Sequence, residues 1–489
     1  MQSNIAKNTT WLTIAYIFQK IFAFIYFTLI ARWLGADNIG IYTFAISLTT
    51  IMSVFIDFGL SPVLIRESSK FKEKANEYLN NTNTAKLILS VLSYIAVAII
   101  INLLHKSALT QIMVYIAGLI MILDSFTLSF WAIFRAYQNL KYEAISIVLN
   151  QILIVIVGLI GVLLKFPLYI LVIALLFGST FSFLYSLSLL KIKLNFKFKF
   201  QYQKDLLKTL FKIALPFALA GIFTRVYSYI DQVLLSTLIG DKALGFYSIA
   251  YKATYALQFV PAAFAAAIFP AMSNYYVNAK EKLQSIFEKS MYFLIIFSIP
   301  IAFGTASLAD KIILKLYTAE YEPSILTIQI FIFAVLPIFL SYPVGSLLNS
   351  CDKQTVNTTN MGITMILNVI LNIFLIPKFQ QAGAAIATLI SLSVLFILNL
   401  FWVPKIIKVN FKFLIIKTIK SLICAIIMAY LILLLKERIN FLILILLGAI
   451  IYGFVLYLIK GFTKEDIKYL WQAIFRKAPQ NIPQEETLE

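Results

Sequence analysis

The sequence predicts an all-α integral membrane protein of about fourteen transmembrane helices, arranged as two parallel six-helix units followed by two further helices. Three observations carry this: long apolar runs along the whole chain, lysine and arginine gathered in alternate loops, and a turn sequence at Gly35 that recurs at Gly240.

Of 489 residues, 61% are apolar and only 13% charged, where soluble domains run near half and about a quarter. A formal charge of +19 would suggest nucleic acid in a soluble protein. Here the basic residues sit in short loops between apolar runs, as membrane topology dictates, and no nucleic-acid partner is expected. Two cysteines, Cys351 and Cys424, and a single histidine, His105, argue against a disulfide framework, a metal site and most triad chemistry. No catalytic residue, metal or cofactor is expected.

A bilayer core of roughly 30 Å needs about 20 apolar residues per helix. Fourteen segments fit, near 9–31, 39–60, 85–104, 110–134, 144–164, 168–190, 212–238, 243–270, 285–307, 325–348, 361–376, 383–403, 413–435 and 439–459. The first is too long for a cleavable signal and ends at Arg32 without a small-residue cleavage pattern, so it reads as a permanent span. The eighth is long; the eleventh is short and is closed by Pro377.

With residue 1 in the cytoplasm, the loops and tail on that side hold 29 of the 41 basic residues, the opposite loops hold 9, and Lys20, Arg225 and Lys252 lie inside spans. This bias predicts that both termini are cytoplasmic. The densest cluster, Lys191 to Lys212, separates spans six and seven, and its Asn195–Gln203 alternation reads as an extended, interfacial strip. The expected units are therefore 1–205, 206–404, 405–460 and a tail, 461–489. In the tail, Thr463 and Asp466 start a pattern of Ile467, Leu470, Trp471 and Ile474 that predicts a short helix on the inner surface, before a disordered end.

The repeat is carried by Gly35, Gly40, Tyr42 and Ala45, which align at one offset with Gly240, Gly245, Tyr247 and Ala250. Gly35 and Gly240 suit the left-handed position that ends a helix; Gly40 and Gly245 allow close packing as the next begins. The same offset superposes Lys20 on Arg225, both in mid-span. Six spans separate the copies, so they share one orientation, and parallel repeats facing a central cavity are a common transporter plan.

A charge at mid-span costs roughly 2.5–3.5 kcal/mol on insertion scales, so it needs a cavity or a partner. Lys20, with Thr13 and Tyr16 on its face, and Arg225, with Tyr229 one turn beyond, either look into a shared cavity or are satisfied locally, Lys20 by snorkelling and Arg225 by Asp231. Lys252 divides evenly between the two readings. Cations without adjacent carboxylates suit a phosphate or pyrophosphate. Asp124 and Asp231 are candidates for a coupling proton or sodium ion, or for neutralising a cavity cation. Asp57 reads as structural, and Arg135 as an interface anchor. Asn150, Gln151, Asn368 and Asn372, with the tyrosines, either contact sugar hydroxyls or bond helix to helix.

Thr9–Lys70 resembles the start of the polysaccharide transport branch of the MOP flippase superfamily. The carrying residues are Ala31-Arg-Trp-Leu-Gly35, Ile39-Gly-Ile-Tyr42, Asp57-Phe-Gly-Leu60 and Arg66-Glu67. The second half is similar at Pro216, Asp231-Gln232, Leu244-Gly-Phe-Tyr247 and Gln381-Ala-Gly-Ala-Ala385. The resemblance implies a V of two lobes working by alternating access in the cell inner membrane. It further implies a flippase moving undecaprenyl-pyrophosphate-linked oligosaccharide to the outer leaflet for O-antigen, capsule or exopolysaccharide synthesis. Membrane lipid surrounds it, and a glycan polymerase and glycosyltransferases of the pathway are candidate partners. The family's cationic cavity carries over onto Lys20 and Arg225; related lipid II flippases hold more arginines there. Two other readings are a cation-coupled drug or metabolite antiporter, which would end after twelve spans, and a glycan polymerase, which would need large outer loops. No Walker A sequence is present, and direct ATP use is not expected.

Overall fold

The computed structural model describes residues 2–462, with side chains from residue 10 onward. The surface helix expected after Gly461 lies outside the described residues. The first half comprises α1 (Gln2–Asp57), α2 (Leu60–Lys70), α3 (Ala75–Leu103), α4 (Ala108–Ala136), α5 (Lys141–Leu163) and α6 (Ile170–Leu194). The second comprises α7 (Lys204–Leu238), α8 (Asp241–Ala256), α9 (Phe259–Asn278), α10 (Lys280–Ser307), α11 (Ala309–Leu316), α12 (Ser324–Phe331), α13 (Val335–Ser350) and α14 (Gln354–Leu400). Then α15 (Phe411–Leu435) and α16 (Phe441–Leu458) pack as a pair against the outside of α10.

Among the described residues, twelve helical stretches are long and apolar enough to cross a membrane. Two have well over twice the needed length: Thr10–Lys70 with 61 residues and Gln354–Lys405 with 52. Both are interrupted, the first at Gly35 with φ 79° and ψ 170°, the second at Gln380 with φ 50° and ψ −128°.

Several boundaries differ from the sequence reading. The helix of Pro377 does not stop there; it starts early, at Gln354, and turns only at Gln380. Its polar first turns are helical because Asn360 and Asn357 exchange amide hydrogen bonds with buried Asn399. The long eighth segment divides into α8 and α9 at Leu257–Gln258. Pro261 explains the position, since a proline ring cannot accept the carbonyl four residues back into a continuing helix. Finally, α3 begins ten residues earlier than expected, which sets Lys86 about three turns inside the helix instead of at its start.

The turns at Gly35 and Gly240 have the same backbone. Gly240 has φ 128° and ψ 168°. With ψ near 170° neither glycine takes the left-handed helical cap anticipated for it; both occupy a region that essentially only glycine enters. The two turns lie against each other. A β-carbon on Gly40 would sit 1.7 Å from the Asp241 carbonyl oxygen, and one on Gly245 would sit 1.9 Å from that of Ala36. Ala36 and Asp241 are themselves repeat equivalents, so the contact is reciprocal, as a two-fold relation between the halves requires. On the axis, the Ser248 hydroxyl meets its own equivalent, Thr43, at 3.2 Å.

Side chains from each half then bind the other's turn. Glu320 accepts from the Ala36 N–H at 3.1 Å, and Lys106 donates to Asp241 at 2.9 Å and to the Ser236 carbonyl at 2.7 Å. Tyr321 donates to the Ala31 carbonyl and Arg32 to that of Lys315, both at 3.0 Å. Beneath these contacts one continuous core of buried residues, including Ile30, Phe44, Leu244 and Tyr247, joins the halves. The turn end of the molecule is thus sealed.

At the opposite, linker end, the segment between α6 and α7 is an extended strap along α3. Asn76, Asn80, Thr84 and Asn81 accept from the backbone N–H groups of Lys197, Lys199, Gln201 and Gln203 in turn. Acceptors on one helix face are matched to every second amide of an extended chain, and this fixes the strip that the lysine–aromatic alternation suggested. Phe200 and Tyr202 remain exposed on it.

Candidate functional site

Between α1, α2, α4, α5, α6 and α7 lies a cavity of about 640 Å³, within the range of about 300–1,000 Å³ typical of ligand sites. Tyr16, Asp124, Asn150 and Arg225 line it, four of the residues singled out from sequence. It is bounded towards the turn end by the sealed contact. At its far end the side chain of Arg135 grips Glu143 with both nitrogens, Nε to Oε2 at 2.9 Å and Nη2 to Oε1. Arg135, expected as an interface anchor, is therefore a wall of the cavity. It sits there because the tight turn from α4 to α5 returns Glu143 beside it.

Asp57 also borders the cavity, at the sharp corner where Phe58 and Gly59 take φ 41° and 71°. Behind it, Lys86 has no exposed surface and donates to Asp57 at 2.7 Å, to Ser61 Oγ at 3.0 Å and to the Ser125 carbonyl at 2.8 Å. All three ammonium protons are used, which is what a buried cation needs. Ser61 also bonds the Asp57 carboxylate. Gly59 admits close approach of α7, whose Ala214 carbonyl would lie 2.7 Å from a β-carbon there. The pair holds the corner on which α7 leans.

Lys20 and Lys252 do not line that cavity. Both are exposed, and neither makes an ion pair among the described residues. Their placement follows from helix geometry. Lys20 and Phe27 are seven residues apart on α1, so they share one face at a rise of about 10 Å. The Lys252 ammonium, arriving from α8 in the other half, lies 5.4 Å from the centre of the Phe27 ring. The face of α1 bearing Lys20 therefore looks towards the second half. Tyr16, one turn from Lys20 on that face, lines the cavity, so the face of α1 that bears Lys20 continues into the cavity wall.

The remaining candidates are elsewhere. Asp231 is 1% exposed and does not reach Arg225. It accepts from the Tyr247 hydroxyl, from Thr388 Oγ1 at 3.4 Å and from the Gln232 N–H at 2.8 Å. One turn beyond Thr388, Ser391 accepts from Asn368, whose side-chain and main-chain oxygens accept from Asn372. The Asn372 side-chain oxygen is buried without a partner. Asn368 thus bonds across the break in α14, Asn372 bonds back to Asn368 within one helix, and neither borders the cavity. Gln151 is buried, and Tyr229 is half-buried; neither borders the cavity. Asn150 donates to Ser182 at 2.8 Å on the cavity wall. Sequence reasoning missed Arg135 and Glu143 as cavity groups, and Lys86 as the buried partner of the cavity carboxylate Asp57.

Comparison with known proteins accords with this architecture. A family model described as MatE matches residues 216–374. The chain is 25% identical over 413 residues to a probable low-salt glycan biosynthesis flippase of Haloferax volcanii, covering 84% of this chain and 86% of that one. It is 24% identical to a capsular polysaccharide biosynthesis protein of Staphylococcus aureus, covering 79% and 96%. Among solved structures, the lipid II flippase MurJ in an inward closed conformation superposes with a TM-score of 0.77 at 19% identity, covering 95% of this chain and 99% of that one. That likeness is one of fold. The family model of polysaccharide biosynthesis proteins matches residues 5–276, more than half of the chain, and the protein belongs to that family.

Proposed function

We propose that the protein is a flippase that carries a lipid-linked oligosaccharide, an undecaprenyl-pyrophosphate glycan, from the cytoplasmic to the outer leaflet by alternating access. The observation that carries this is the shared face of α1. Among the described residues Lys20 and Lys252 have no carboxylate partner, and they stand where α1 looks towards the second half, beside the cavity. Cations without carboxylate partners on one helix face suit a pyrophosphate; in bare hydrocarbon its desolvation would be prohibitive. The polyprenyl tail stays in lipid while the sugars occupy the cavity beside Tyr16 and Asn150.

In this reading the turn end faces outward and the linker end faces the cytoplasm, with both termini cytoplasmic in the inner membrane and fourteen crossings once the breaks at Gly35 and Gln380 are counted. The lobes are 1–205 and 206–404, followed by 405–460 and the tail 461–489. The sealed turn end then makes this an outward-closed state. Asp231, buried without a cation beside Tyr247 and Thr388, is better placed than Asp124 to take a coupling proton or sodium ion. A glycan polymerase and glycosyltransferases would supply and consume the cargo. The relatives named as glycan flippase and capsule protein support this assignment over a drug antiporter.

Deleting the protein from its host tests the assignment. Lipid-linked glycan should accumulate facing the cytoplasm, protected in intact cells from an impermeant glycan-modifying reagent. Accumulation facing outward, or loss of the lipid-linked glycan altogether, would refute it.

A further inference from the structure

The charges of the cavity cancel one another, whereas those of Lys20 and Lys252 do not. Arg135 is committed to Glu143 and Asp57 to the fully buried Lys86. Asp124 and Arg225, both accessible, border the same space and balance each other in number. The rest of the wall is apolar, as at Ile46, Met121 and Phe217, and carries the hydroxyls and amides of Thr49, Ser53, Ser146 and Asn150 with the rings of Tyr16 and Trp131. Hydroxyls and amides bond sugar hydroxyls in either direction, and aromatic faces stack on sugar rings. Neither offers a counter-charge.

We infer that the cavity selects glycans of zero net charge, neutral or internally balanced, and discriminates against glycans carrying uncompensated uronates. This rests on the flippase reading and assigns the substrate class of its cavity. The division of labour is physical. The pyrophosphate is common to every cargo of this kind and meets dedicated cations at Lys20 and Lys252. The glycan is the variable part, and it meets walls whose charges are already matched. An uronate entering this space would be stripped of water and would meet in Arg225 a cation whose charge Asp124, bordering the same confined space, already offsets in number.

The test uses full-length protein in proteoliposomes with two undecaprenyl-pyrophosphate trisaccharides of equal length, one neutral and one bearing a single hexuronate. The neutral lipid should flip about 10-fold faster or more. Asp124→Asn, which leaves the walls with one net positive charge, should raise the rate for the acidic lipid and narrow that gap severalfold. Equal rates for wild type would overturn the inference and leave the flippase reading intact, as would a gap that Asp124→Asn leaves unchanged. Movement of neither lipid would overturn the flippase reading itself, and this inference with it.

Discussion

Replacing both lysines, Lys20→Ala with Lys252→Ala, should slow flipping of the lipid-linked glycan by about 100-fold or more while leaving the protein folded in the membrane. A hydrogen bond to a charged group is worth about 1.5–3 kcal/mol, and 1.4 kcal/mol is a factor of ten, so two such contacts to a pyrophosphate together exceed that loss. Among the described residues neither lysine has a carboxylate partner to strand, so truncation leaves no orphaned buried charge there. This separates the pair from Lys86, whose removal would expose Asp57 to exactly that penalty and confuse transport with stability. Arginine at both positions should restore much of the rate, because the charge and its reach are kept. The rate is read in proteoliposomes with a neutral glycan lipid. Retention of more than about a third of the wild-type rate would remove the two lysines from the account.

The second large effect is at the crossed turns. Gly40→Leu or Gly245→Leu should abolish transport by preventing closure of the turn end. Even a single β-carbon at these positions would collide with the backbone of the other half, at 1.7 and 1.9 Å. Backbone has no rotamer with which to escape, unlike the Glu320 side chain that crowds Gly35. Overpacking of this kind typically costs about 1–3 kcal/mol, which is concentrated here in the one state where the turns touch. Each variant should therefore stay membrane-inserted yet expose the interface. A cysteine at Thr43, in the same background, should become reactive to an impermeant thiol reagent from the turn-end side. Normal transport with Thr43→Cys still protected would show that the turns need not meet during the cycle.

Much of this plan was legible in the sequence. The crossings, their alternating charge and the repeat were visible because each is a local pattern: a run of apolar residues, a cluster of lysines, two glycines five apart. Even the pairing of Thr43 with Ser248 follows from the repeat offset once the halves are known to meet on an axis. The sequence could not show which side chains pair across helices. Lys86 finds Asp57 only because the corner at Phe58–Gly59 brings the carboxylate back. Arg135 and Glu143 are eight residues apart across a turn, a distance at which helical periodicity predicts nothing. Lys20 and Arg225 match in the repeat but not in surroundings, since Arg225 shares a cavity with Asp124 and Lys20 stands outside that cavity. A two-fold relation that was a reliable guide to backbone was a weaker one to electrostatics.

The central claim is that cargo passes between two halves that close at the crossed turns. Thr43 and Ser248 give direct access to it, since their hydroxyls lie 3.2 Å apart, and the native thiols, Cys351 and Cys424, are buried and unpaired. Thr43→Cys with Ser248→Cys, reconstituted and oxidised, should form a disulfide that stops glycan-lipid flipping, and reduction should restore the rate in the same vesicles. Flipping that continues unchanged through the oxidised cross-link would mean that the turn end never opens and that the glycan crosses elsewhere.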